Sequence, residues 1–163
     1  MSEFSHLDRN GHPLMVDVSH KKRSDRVARA EGKVLVSRII FDTLKEDQTT
    51  QKGAVFNIAE LAGIMAAKRT STLIPLCHNI GLDGIQVKCM LDEEDLSVVI
   101  SSEVTARECT GVEMEALSAV TAAALTVYDM CKALGKEMII TDVRLLYKSG
   151  GKSGTFTMGD EPR

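Results

Sequence analysis

TGVEMEALSAVTAAALTVYDMCK, Thr110–Lys132, is the stretch on which the fold turns. Thr110 and Glu113, three residues apart, have the form of a capping box. The alanine-rich run behind them predicts one long helix reaching Leu134, with Gly135 placed for a left-handed C-terminal stop. At about 100° per residue, Glu115, Ser118, Ala122 and Asp129 fall within a stripe roughly 40–60° wide. Lys132 follows Asp129 by three and is its neighbour on the helix surface. Such a pair is read either as a solvated salt bridge or as a carboxylate that sets the position and pKa of a lysine in a cleft. Glu115 and Asp129 are fourteen positions apart, so a continuous helix separates them by about 21 Å. One pocket in one chain can hardly use both, which points to a site shared between chains.

Outward from this helix the elements follow in order. Downstream, MIITDVRLLY (138–147) predicts a strand, and KSGGKSGTF a flexible tail. Upstream, IQVKCML (85–91) and LSVVISSEV (96–104) are two strands joined by the acidic turn DEED. Before them NIAELAGIMAAKRTSTLI (57–74) predicts a second helix, opened by Asn57 with Glu60 and stopped by Pro75. Gly63, Ala66 and Ala67 make it thin enough for close packing on another helix. A short helix at 39–46 follows a strand at 33–38, and EDQTTQKG is a polar loop. Residues 1–32 read as an irregular arm whose basic run HKKRSDRVARA (20–30) has the plain reading of a solvated face. The resulting division is arm 1–32, one α+β domain 33–148 and tail 149–163. Strand, helix, strand, strand, helix, strand is the split βαβ order of ferredoxin-like folds. It implies an antiparallel sheet with helices on one face, the other face left to solvent or another subunit.

Composition narrows the function classes. The chain has 163 residues, 44% hydrophobic and 26% charged, with no Trp, two Tyr and four Phe, so the core must be aliphatic. Scarce aromatics and a net charge of −3 argue against nucleic acid as a partner. Cys77, Cys89, Cys109 and Cys131 form no CxxC pair and no regular spacing, so a disulfide scaffold is not expected. No apolar run is long enough for a membrane span and the N-terminal residues are polar. A reduced, cytoplasmic chain is expected.

Leu76-Cys77-His78 follows Pro75. His78 reads either as a satisfied structural residue or as a donor or proton carrier. Adjacent Cys and His without a second ligand pair do not make a zinc site, and neighbours in sequence point apart, which disfavours a Cys–His nucleophile. Arg26, Lys52, Lys68, Lys132, Lys148 and Lys152 are candidates for a phosphate pocket. GGKSG is not a P-loop, because the required upstream Gly is Leu146. A nucleotide-binding regulator or a structural assembly subunit would fit the same basic residues without an Asp129–Lys132 pair at work.

The chain resembles the cyclic pyranopterin monophosphate synthase family, the C protein of molybdenum cofactor biosynthesis. The resemblance rests on MVDVS (15–19), KG (52–53), AGIMAAKRT (62–70), LIPLCH (73–78), TGVEMEAL (110–117), LTVYDMCKA (125–133) and RLLYKSGGKSGTF (144–156). It departs at Asn79-Ile80, where members often have Pro, and at His20, where many have a small residue. The resemblance implies a lyase that converts 3′,8-cyclised dihydro-GTP into cyclic pyranopterin monophosphate with release of pyrophosphate. It also implies hexamers assembled from dimers, with the site at the dimer interface. Asp129, Lys52 and Lys132 match the family's catalytic residues. Leu76, Cys77, His78, Met114 and Glu115 match its substrate-binding segments, and Glu113 and Arg26 positions associated with the site. On this reading lysines of depressed pKa act as general acid or base, with Asp129 orienting Lys132 and His78 assisting. No resident metal or redox cofactor is expected, although a divalent ion can accompany the triphosphate.

Overall fold

A computed structural model describes residues 6–49 and 54–159. Its elements are β1 (Ser24–Leu35), α1 (Arg38–Thr49), α2 (Ala54–Ala67), α3 (Thr70–Leu73), β2 (Gly84–Asp92), β3 (Ser97–Glu108), α4 (Glu113–Cys131), β4 (Ile139–Ser149) and β5 (Phe156–Thr157). The sheet order is β2-β3-β1-β4-β5, with every neighbouring pair antiparallel. β3 lies between β1 and β2, and β1 between β3 and β4, which is the split βαβ arrangement of the expected α+β fold. α4 packs across β1, β3 and β4, and α2 packs on β2 and against α4, so these two helices share one face.

The strand expected at 33–38 is instead the twelve-residue β1, beginning inside the stretch read as an arm. Its helix-facing positions are Arg26, Ala28, Ala30, Gly32 and Val34. Four of the five are small or charged, so no apolar alternation marks the strand. They are small because α4 lies close: a Cβ on Gly32 would stand 2.7 Å from Val120 Cγ1. The opposite face of the sheet is polar and cross-linked by charge. Arg29 pairs with Glu103 at 2.5 Å and lies over the Tyr147 ring, and Arg144 pairs with Glu31.

Neither expected capping box forms. α2 begins at Ala54, so Asn57 is inside it, and the Glu60 carboxylate accepts the Cys89 backbone N–H at 2.9 Å. α4 begins at Glu113 with Val112 as its uncapped N-cap. Glu113 and Glu115 occupy its first turn, where the positive end of the helix dipole favours anions. The helix predicted over 57–74 breaks after Ala67 into α3, where Thr70 Oγ1 donates to the Ala67 carbonyl at 3.0 Å. Ile74 is extended ahead of Pro75, as the proline demands. Gly135 is not left-handed. The tail read as flexible turns through left-handed Gly150, Gly151 and Gly154, and β5 pairs with Tyr147 and Lys148 of β4.

The core is largely aliphatic, although Phe41 and Phe56 also join it, with Ala116, Ala119, Val120, Ala123, Ala124 and Val127 of α4 buried against Val98, Ile100 and Val104 of β3 and the small residues of β1. The buried Ser102 hydroxyl of β3 donates to the Ala116 carbonyl at 2.8 Å, tying helix to sheet. Ser37 stands just before α1, its Oγ accepting the Ile40 N–H, and the helix buries Ile40, Phe41 and Leu44. None of the four cysteines is in a disulfide, and no described helix is long and apolar enough to cross a membrane.

The thin face of α2 meets α4 at Gly63, where an added Cβ would stand 2.8 Å from the Ala119 carbonyl oxygen and 3.1 Å from Val87. Gly63→Val should therefore lower stability by about 1–3 kcal/mol through overpacking, read as a lower urea midpoint with an unchanged m value.

Candidate active site

The N-terminal end of α4 meets the extended segment that Pro75 starts, and between them lies a cavity of about 670 Å³. Ile74, Leu76, Cys77 and His78 form one side; Thr110, Gly111, Glu113, Met114 and Glu115 form the other. The third side comes from the N-terminal arm, through His6, Val16, Val18 and Lys21. All six substrate-binding candidates from Leu76 to His78 and Glu113 to Glu115 therefore converge. Ile80, at the departure from the family pattern, also lines this cavity, while Asn79 is exposed.

Glu115 is the acid at its base, only 5% exposed. Burial pushes its carboxyl above the ordinary glutamate value and the neighbouring Glu113 charge adds to the shift, against a lowering contribution from its own backbone N–H. Cys77 is raised by burial and then by Glu115; a thiol held protonated is a poor nucleophile. His78 Nε2 lies 2.7 Å from the Val16 carbonyl oxygen.

A second cavity, about 840 Å³, adjoins the first and shares Lys21, Thr110, Gly111 and Glu113 with it. Its lining carries Lys21, Lys22, Arg26 and Lys152 against the single carboxylate of Glu113, a balance suited to phosphate. His20 lines it too. Arg26 is buried, and its Nε and Nη2 donate to the Glu108 and Cys109 carbonyls at 3.1 and 3.2 Å. Its Nη1 abuts Gly151, where any Cβ would collide. Arg26 thus braces the Cys109–Gly111 loop that walls both cavities. Lys148 lines neither cavity and donates to Ser153 Oγ at 2.5 Å. Lys68 is exposed and likewise lines neither.

Asp129 and Lys132 lie at the far end of α4, outside both cavities. Lys132 Nζ is 2.5 Å from Asp129 Oδ1, and both side chains are well exposed. The Asp129 hydrogen bond, and then its charge, raise the Lys132 pKa. That is the reverse of the depressed lysine expected from sequence, because a solvated carboxylate stabilises the ammonium and there is little burial to oppose it. Lys52 lies outside the described residues. Among the described residues no cluster of three or more His, Cys, Asp or Glu is placed to hold a metal ion.

Sequence reading missed the arm's contribution. Lys21 was submerged in a basic run, and Val16 contributes a backbone carbonyl, for which a sequence carries no signal.

Because the Glu115 pKa is raised in the folded chain, the folded state binds more protons than the unfolded one above the ordinary glutamate value of 4.5. Its ionisation therefore costs stability as pH rises. Glu115→Gln should gain stability over the parent progressively as pH rises from the ordinary glutamate value toward neutrality, with no gain at the acid end. Parallel urea melts across that range check it, and a pH-independent difference would contradict it.

The family model described as MoaC family matches residues 15–151. A cyclic pyranopterin monophosphate synthase of Heliobacterium modesticaldum is 51% identical over 156 residues, covering 96% of this chain and 98% of that protein. A mitochondrial protein of the same name from Arabidopsis thaliana is 50% identical over 157 residues, covering 96% of this chain and 58% of the relative. Molybdenum cofactor biosynthesis protein 1 of Drosophila melanogaster is 50% identical over 151 residues, 93% of this chain and 26% of that protein. With a family model spanning most of its length and a relative half identical over nearly the whole of both chains, the chain belongs to the MoaC family.

Proposed function

We propose that this chain is a cyclic pyranopterin monophosphate synthase, converting 3′,8-cyclised dihydro-GTP to cyclic pyranopterin monophosphate and pyrophosphate, an early step of molybdenum cofactor biosynthesis. The observation that carries the reading is the pair of adjoining cavities. A pocket bearing His78 and a buried acid, Glu115, shares its Lys21 and Gly111 wall with a basic one. A substrate that joins a fused-ring head to a triphosphate needs that sequence of environments. The head offers ring nitrogens for proton transfer in the first; the phosphates meet Lys21, Lys22 and Lys152 in the second.

The reaction closes a cyclic phosphate by forming an oxygen–phosphorus bond at the α-phosphate and breaking its bond to the β-phosphate, so pyrophosphate leaves. There is no net electron change, so no redox cofactor is required; a divalent ion would arrive with the phosphates. A lysine held charged by Asp129 suits neutralisation of the departing phosphates, or proton donation, better than proton abstraction. Glu115, biased toward its protonated form, and His78 are the groups of the first cavity able to exchange protons with the head.

Asp129 and Lys132 reach such a substrate only from another copy of the chain. We therefore read the enzyme as a homo-oligomer, hexamers built from dimers, with Lys52, Asp129 and Lys132 completing a site begun by the neighbour's Glu115 cavity. Apolar side chains left exposed on α2 and α4, Ile58, Leu61 and Leu125 among them, supply area for such pairing. Four cysteines outside any disulfide fit a reducing compartment, the cytoplasm.

Incubation with the cyclised dihydro-GTP should release pyrophosphate and yield the cyclic monophosphate; unchanged substrate defeats the proposal. Lys132→Ala should lose about 10²–10⁴-fold in turnover, the scale of a lost acid–base group, with fold and oligomer intact, and near-normal turnover would remove Lys132 from the site.

Mixing two inactive variants, Glu115→Gln and Lys132→Ala, provides a separate test of the shared site. Statistical re-pairing places both defects in one of the two sites of a mixed dimer, so roughly a quarter of the parent activity should return. A site contained in one chain recovers none.

A further inference from the structure

Residues 6–23 contain no strand or helix, yet His6, Val16, Val18 and Lys21 among them form the outer wall of the first cavity. Their own hydrogen bonds are local: the Leu14 N–H reaches the His6 carbonyl at 2.8 Å and the Lys21 N–H the Val18 carbonyl at 3.0 Å. Such turns shape the arm without holding it to the domain, and a segment tied down by few contacts opens at small cost. Besides an ion pair between Arg23, at its end, and Glu108 at 3.6 Å, two side chains of the domain tie the arm through its backbone. His78 Nε2 meets the Val16 carbonyl at 2.7 Å, and Cys109 Sγ donates to the Lys21 carbonyl at 3.1 Å.

A carbonyl oxygen can only accept. Nε2 must therefore carry the proton, and in the neutral ring Nδ1 is bare. We propose that His78 is the positioning residue of the arm: its Nε2–H latches Val16, holding Val16, Val18 and Lys21 as the outer wall of the cavity and leaving Nδ1 as the only nitrogen that can take a proton from a ligand. Lys21 is the cation common to both cavities, so the latch also sets where the two meet. The consequence for turnover rests on the reading given above as a synthase; the latch itself does not.

Imidazole ¹⁵N shifts of the full-length parent, without ligand, report the tautomer directly. A protonated Nε2 is expected, and a neutral ring protonated at Nδ1 overturns the proposal. Amide exchange then tests the wall. In His78→Ala the Leu14 and Lys21 amides should exchange roughly five- to tenfold faster, the effect of one lost hydrogen bond, while Ile100 and Val104 in β3 keep the parent rates. His78→Gln, whose amide nitrogen reaches the place of Nε2, should restore arm protection, and His78→Asn, which is shorter, should not. Equal arm protection in all four proteins overturns the latch. If His78→Ala loosens β3 as well, the Gln and Asn variants decide. With the cyclised dihydro-GTP, His78→Gln should recover the parent KM while kcat stays low for want of Nδ1; recovery of kcat would refute the role given to Nδ1. A chain that does not turn over that substrate still gives the exchange and tautomer results, so the two readings fail separately.

Discussion

The close approach of α4 to the sheet is the constraint on which the rest of the structure depends. Gly32 admits Val120, Ala28 and Ala30 have no bulk to hold the helix off, and Gly63 lets α2 come to the Ala119 backbone. Close packing at this level leaves no slack in α4's position. The Ser102 hydroxyl on the Ala116 carbonyl sets it along its axis as well. The first turn of the helix is thereby delivered to the Leu76–His78 segment, and Glu115 is carried into a place where water cannot reach its carboxyl freely. An acid is buried here because a structural contact is tight.

That placement also explains how one small domain offers two unlike environments side by side. The Cys109–Gly111 loop must leave β3 and enter α4 within a few residues, and Arg26 braces it from beneath through the Glu108 and Cys109 carbonyls. One flank of the loop looks onto the protonatable pocket and the other onto the lysines of 21, 22 and 152. Gly150 and Gly151 in left-handed geometry let the turn after β4 come against Asp25 and Arg26 and bring Lys152 in. The basic run at 20–23 and the glycine-rich tail, distant in sequence and unremarkable separately, become two sides of one anion-attracting hollow.

The features visible in the sequence were those whose signal is side-chain periodicity. α4, β2 and β3 repeat apolar residues at helical or strand spacing, and Pro75 ends its helix by a local clash. β1 was hidden because the helix lying on it admits only small residues, so the central strand of the sheet reads as polar. The capping boxes failed for different reasons: Glu60 was taken by the Cys89 amide of β2, a tertiary partner in place of the local one, whereas α4 begins at Glu113 itself, too late for Thr110 to be its N-cap. In the site, the segments 76–78 and 113–115 were legible through the family resemblance and do converge. The arm was not, because apart from the Arg23–Glu108 pair its hold on the domain passes through the carbonyls of Val16 and Lys21, which any residue could provide.

The length of α4 then bears on why the chemistry should be divided between copies of the chain. A helix of nineteen residues cannot bend its ends together, and the tight contact with the sheet forbids a kink. Glu115 is buried at one end while Asp129 and Lys132 stand in solvent at the other. An exposed Asp–Lys pair three residues apart contributes little to stability, and the polar pair adjoins the exposed Met130 and Leu134. A surface of that kind gains most when a second molecule covers it. Desolvation would strengthen the Asp129–Lys132 attraction and keep the ammonium charged next to an incoming phosphate. The same burial by a partner that completes the cavity would thus make the pair electrostatically effective, which joins assembly and catalysis in one event.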